Sequence, residues 1–155
     1  MPLANEKIPE LTLRWANGDH HAAAFLENVA HAVRAADDIV DGDSSDSVKE
    51  MYNLLNRAFV FNANNPFFRD HADTLSAALT IGFTMWLKSE QWRHDTNRKT
   101  RMFAFIYREG MDHVAHVVAV LTGGPMHLAN VMQDLHVHSH QSNTESFEDW
   151  ESERV

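Results

Sequence analysis

The placement of helix breakers is the strongest constraint on this chain. Gly, Pro and Asn divide the sequence into long stretches joined by short polar connections, and no alternating apolar run flanks a turn as a β-hairpin requires. The one sustained period-two pattern is His136-x-His138-x-His140. Pro9 opens a short helix that Asn17-Gly18 ends. Asp19 caps a long helix from His20 to about Asp41, closed by Gly42. Ser47-x-x-Glu50 reads as a capping box for Val48 to about Phe61. Pro66 reopens the chain toward Arg93 with a bend near Asp73, His94 to Lys99 is a loop, and Thr100 to Thr122 is a fifth helix closed by Gly123-Gly124-Pro125. Met126 to about His138 is the last. The expected fold is an all-α bundle of about six helices in residues 1–140. Residues 141–155 form an acidic polar tail, in which Phe147 and Trp150, three apart, either dock as a short helix or stay solvated.

Composition narrows the function classes. The 13 Lys and Arg stand against 22 Asp and Glu, a formal charge of −9, which excludes nucleic-acid binding through a general basic surface. With no Cys there is no disulfide framework, thiolate nucleophile or thiolate metal site, and 11 His remain as candidate ligands. The stretch MPLANEKIPE lacks the apolar segment of a signal peptide, and purely apolar runs such as Val117 to Leu121 are far short of the roughly 20 residues that span a bilayer. A soluble protein of the cytoplasm, without a membrane partner, is the expectation.

The acids gather at one place with a spacing that suggests chemistry. At about 100° per residue, Phe25, Val29, Ala32, Ala36, Ile39 and Val40 share one face of the second helix, and Glu27, His31, Arg34, Asp38 and Asp41 share the other, with Asp37 beside them. Asp37 and Asp41 stand one turn apart and suit a shared divalent cation. They lie in the last turn, against the helix dipole, and are packed like with like, so a cation would offset two unfavourable terms. Mg²⁺ is commonly held by one or two carboxylates together with phosphate oxygens, and Arg34 one turn earlier suits a phosphate oxygen. A solvated acidic face is the plain alternative.

Arg34-Ala-Ala-Asp37-Asp38-Ile-Val-Asp41-Gly42 resembles the DDxxD motif of the all-α isoprenoid synthases, above all the squalene and phytoene synthase branch. The resemblance implies that Asp37 and Asp41 hold Mg²⁺, with Asp38 as their neighbour, and that the ligand is a diphosphate. It covers about ten residues, and no second aspartate-rich motif follows. A second resemblance is to small helical proteins of bacteriophages and prophages. It rests on Asp37-Asp38-x-x-Asp41-Gly42-Asp43, Asn65-Pro66-Phe67-Phe68-Arg69, a Trp86 helix reaching Glu90, Arg108-x-x-x-Asp112 and Gly123-Gly124.

The fifth helix carries a second polar ridge. Phe103, Ile106, Gly110, Val114, Val117 and Leu121 are its expected buried stripe, with Arg108, Glu109, Asp112, His113 and His116 opposite. These five, with Glu27 and His31, are candidates to line a cleft, and Arg108 is a second candidate phosphate partner. The plain alternative is an Arg108–Asp112 surface pair worth under about 1 kcal/mol. His136, His138 and His140 read as surface histidines, with casual Ni²⁺ or Zn²⁺ affinity as the alternative, while Trp15, Met85 and Trp86 read as core or interface. The sequence thus supports binding of a phosphorylated ligand through Mg²⁺, with hydrolysis left open. Its rival is a non-catalytic phage structural or host-interaction protein, with a homo-oligomer or a protein partner.

Overall fold

The structure, a computed structural model, describes residues 8–141 and 144–153. The chain is all-α, as expected, and the described residues contain no strand. They gather into two compact units, residues 8–72 and 73–153.

The unit of residues 8–72 is built on α2. Helix α1 (Ile8–Trp15) packs on α2 (His20–Asp41), whose start is capped by the Asp19 carboxylate accepting from the His21 and Ala22 N–H groups. Gly42 closes α2 in the left-handed conformation at φ 75°, where a side chain would be strained. The Asp46 carboxylate, not Ser47, caps α3 (Ser47–Asn56), accepting from the Lys49 N–H. Asp46 sits one residue earlier with a reach that fits the first turn, so the predicted capping box is not used. Helix α3 runs into a widened π-type turn, Arg57–Phe61, and then α4 (Asn62–Asn64). The Asn28 side-chain amide, buried in α2, donates to the Arg57 carbonyl at 2.9 Å and to Asn62 Oδ1 at 2.8 Å, which ties that turn to α2. Asn65 caps α5 (Pro66–Asp70) while donating its amide to the His21 carbonyl. The Phe25 ring, fully buried, stacks on Phe68 at 5.7 Å and tilts against Phe67 at 6.3 Å.

The predicted apolar face of α2 is correct at Phe25 and Val29 and fails at Val40, which is 59 % exposed. The last fully buried position of α2 is Ala35, and in the turns after it Asp37 and Asp41 are exposed.

In the unit of residues 73–153, α6 (Ala72–Trp92) begins one residue before the boundary, after a break at His71 close to the predicted bend. The predicted helix Thr100 to Thr122 is two helices, α7 (Arg98–Tyr107) and the start of α8 (Asp112–His136). Between them the backbone tightens into i→i+3 bonds, among them Gly110 N–H to the Tyr107 carbonyl at 2.9 Å. Gly110 is needed there because a Cβ would sit 2.6 Å from Met85 Cβ of α6, and Gly82 of α6 receives Met111 in the same way. This turn resets the helical phase. Phe103 and Ile106 are therefore 45 % and 61 % exposed instead of lining the core, and Ala104 takes the buried position.

Helix α8 kinks where Gly123-Gly124-Pro125 predicted an end, with Gly124 at φ 77° and ψ −173°. Val114, Val118, Val131 and Leu135 of its two halves are buried. Against the expectation from short apolar runs, residues 112–141 are by length and composition long and apolar enough to cross a membrane, as core helices of soluble proteins also can be. A second π-type turn, Val137–Gln141, follows. The tail holds a helix, α9 (Phe147–Ser152), fixed by a capping box between Ser146 and Asp149. Trp150 of α9 is buried against Phe105 of α7, and Arg98 and Arg101 of α7 pair with Glu148 and Glu151 at 3.1 and 2.6 Å. Residues 142–143 and 154–155 of the predicted tail lie outside the described residues.

Candidate metal centre

The tight turn between α7 and α8 does two things at once. It carries Arg108 and Glu109, and it starts α8 with Asp112, so three charged side chains emerge from five residues. The π-type turn after α8 brings His140 back to them. A π turn contains an extra residue, and such turns are frequent at functional sites because they redirect side chains that a regular helix would space evenly. His140 Nε2 lies 2.7 Å from Asp112 Oδ2. One ligand atom each from Glu109, Asp112 and His140 falls within 4.8 Å of the others, the one such group of three among the described residues.

These groups line a cleft of about 470 Å³, together with Arg108, His113, His116, His136 and Glu145. Its apolar lining is Met85, Phe105, Ile106, Met132 and Leu135. The cleft holds three carboxylates, Glu109, Asp112 and Glu145, against one guanidinium, a formal charge of −2 with neutral imidazoles. Burial pushes the Glu109 carboxyl above the usual carboxylate range; Arg108 opposes this and Asp112 adds to it. Burial also holds His116 below the ordinary imidazole value, opposed by Asp112 and reinforced by His113, so its neutral form is favoured. Burial disfavours the charged form of both groups, and the three carboxylates against one guanidinium leave the wall short of positive charge.

Arg108 does not answer that need. Its Nη2 pairs with Glu145 Oε2 at 2.6 Å and its guanidinium lies 4.4 Å from the Phe105 ring centroid and 5.9 Å from that of Trp150. Its Nε is 3.3 Å from Glu109 Oε1 but misdirected, so this buried N–H makes no hydrogen bond.

The expected site residues divide between the two units. Glu109, Asp112, His113 and His116 line a cleft within residues 73–153, not one shared with α2, and Arg108 does so already paired with Glu145, not with Asp112. Glu27, His31, Arg34, Asp37, Asp38 and Asp41 belong to the unit of residues 8–72. Glu27 is half-buried and accepts the Thr12 hydroxyl at 2.9 Å, so it joins α1 to α2, and it is not among the residues lining this cleft. His31, Arg34, Asp37 and Asp41 are exposed and Asp38 half-exposed, and among the described residues these aspartates form no converging group of three.

His140, His136 and Glu145 were missed. The alternation of His136, His138 and His140 scatters them on a regular helix, but through the π-type turn the His136 and His140 rings approach to 5.4 Å. His138 turns to Asp134 at 3.4 Å instead. No residue pattern announced that turn. No family model, curated protein or solved structure matches the chain.

Proposed function

We propose that this protein binds a divalent metal ion with Glu109, Asp112 and His140. The observation that carries the reading is the convergence of two carboxylates and one imidazole in the wall of a cleft whose formal charge a divalent cation would neutralise. Like carboxylates beside one another, one of them raised by burial, are relieved when a cation replaces the proton. A donor set of one nitrogen and two oxygens suits Zn²⁺, Mn²⁺ or Fe²⁺ better than Mg²⁺, which prefers oxygen alone. The metal expected at the end of α2 therefore moves, in this reading, to the cleft.

Three protein ligands leave a coordination position open, the arrangement of metal sites that engage an exogenous ligand. A bound ion supplies Lewis acidity and lowers the pKa of a coordinated water. Asp112 positions His140 before any metal arrives, and Arg108 screens Glu109.

Calorimetric titration of Zn²⁺, Mn²⁺ and Mg²⁺ into the wild type, Asp112→Asn and His140→Ala tests this. Zn²⁺ is expected to bind most tightly at one site per chain and to lose at least 100-fold in affinity in either variant. Unchanged Zn²⁺ affinity in both variants removes the proposal.

A further inference from the structure

The cleft is lined by two kinds of side chain, and the metal reading uses only one of them. Besides the carboxylates and imidazoles, the lining includes Met85, Phe105, Ile106, Met132 and Leu135. Met132 and Ile106 are 49 % and 61 % exposed, an apolar surface left open beside a charged wall. A cleft of about 470 Å³ is within the ordinary range for small-molecule sites. Resting on the metal reading above, we infer that the cleft takes a small amphipathic monoanion, of the class of medium-chain carboxylates, with its head on the metal and its chain on the apolar lining.

Charge selects the head group. The cleft carries three carboxylates and one guanidinium, so a bound divalent ion brings its formal charge to zero. A carboxylate then adds one negative charge, whereas a phosphate monoester near neutral pH adds close to two beside Glu109, Asp112 and Glu145. A second feature serves an anionic oxygen. The Arg108 guanidinium also lines the cleft and is only partly covered, so one of its N–H groups can meet a ligand oxygen there. Glu145, half-buried on the stretch between the π-type turn and α9, already shows that a carboxylate fits this guanidinium, at 2.6 Å.

The test titrates acetate, butanoate, hexanoate and octanoate, then octanol and octyl phosphate, into the Zn²⁺-loaded and metal-free full chain. Affinity is expected to rise about three- to fourfold per methylene, the equivalent of roughly 0.8 kcal/mol each. Octanoate is expected to bind at least tenfold more tightly to loaded than to metal-free protein, and at least tenfold more tightly than octanol or octyl phosphate. In His140→Ala the metal-dependent part of octanoate binding disappears. A flat chain-length series, or equal octanoate affinity with and without Zn²⁺, overturns the inference while leaving metal binding intact. Absence of Zn²⁺ binding overturns both readings together.

Discussion

The end of α2 and the wall of the cleft are both dense in acid, yet they hold it in opposite surroundings. Asp37 and Asp41 lie in the turns of α2 after Ala35, the last fully buried residue of that helix, and both are exposed. Glu109 and Asp112 stand on a tight turn, are partly buried, and meet an imidazole returned by a separate turn. In water, two carboxylates one helical turn apart repel weakly because the solvent screens them. In a cleft burial itself raises the Glu109 carboxyl, and the repulsion from Asp112 adds to it against the opposing Arg108 guanidinium. Acid density alone therefore does not distinguish a site from a solvated helix end; desolvation and convergence do.

The largest effect that would sharpen this contrast concerns the metal itself. Asp112→Ala and His140→Ala are expected to lose at least 100-fold in Zn²⁺ affinity, while the double variant Asp37→Ala/Asp41→Ala stays within threefold of wild type, all by calorimetry. Mg²⁺ with inorganic diphosphate is the counter-test: heats that vanish only in the Asp37/Asp41 variant would return the site to α2 and break the comparison.

Backbone substitutions come next. Gly110→Ala places a Cβ 2.6 Å from Met85 Cβ and is expected to destabilise the protein by about 1–3 kcal/mol through overpacking and to weaken Zn²⁺ binding by shifting the turn that carries Glu109. Gly42→Ala at the end of α2 meets nothing within 4 Å and costs only its left-handed backbone, about 1 kcal/mol, with metal affinity unchanged. Chemical denaturation with and without Zn²⁺ separates the two.

A smaller effect is the pH dependence of the cleft. His116 has its folded pKa lowered by burial, so its contribution to stability is fully present above the ordinary value of 6.5 and is lost as pH falls through the lower folded value. His116→Gln should flatten the decline of the melting temperature below pH 6.5.

The smallest is at the cap of α9. Hydrogen bonds from the Ser146 hydroxyl and N–H hold the Asp149 carboxyl below its usual value, so the cap is intact above 3.8 and released as pH falls through the lowered value. Asp149→Asn should raise hydrogen exchange in residues 147–152 with little change in global unfolding.

Particular elements mark how far the sequence was legible. The limits of α2 followed from Asp19 and Gly42, and the kink of α8 from Gly123-Gly124-Pro125, because caps and breakers act within one or two turns. The cleft was half legible: Glu109, Asp112, His113 and His116 were read from one ridge. The break at 108–111 was not, since Gly110 is tolerated inside a helical pattern and only Met85 from α6 makes it obligatory. His140 was set aside because alternation scatters residues around a regular helix, and the π-type turn that aims it carries no residue signature.

By itself the sequence determined the helical class, the principal helix ends and the excess of acid, because periodicity, capping and charge are local properties that need no partner. Tertiary structure alone decided which acids matter. Burial and convergence depend on residues 28 positions apart, Asp112 and His140, meeting at 2.7 Å. No local pattern encodes that distance, and electrostatic strength depends on it most.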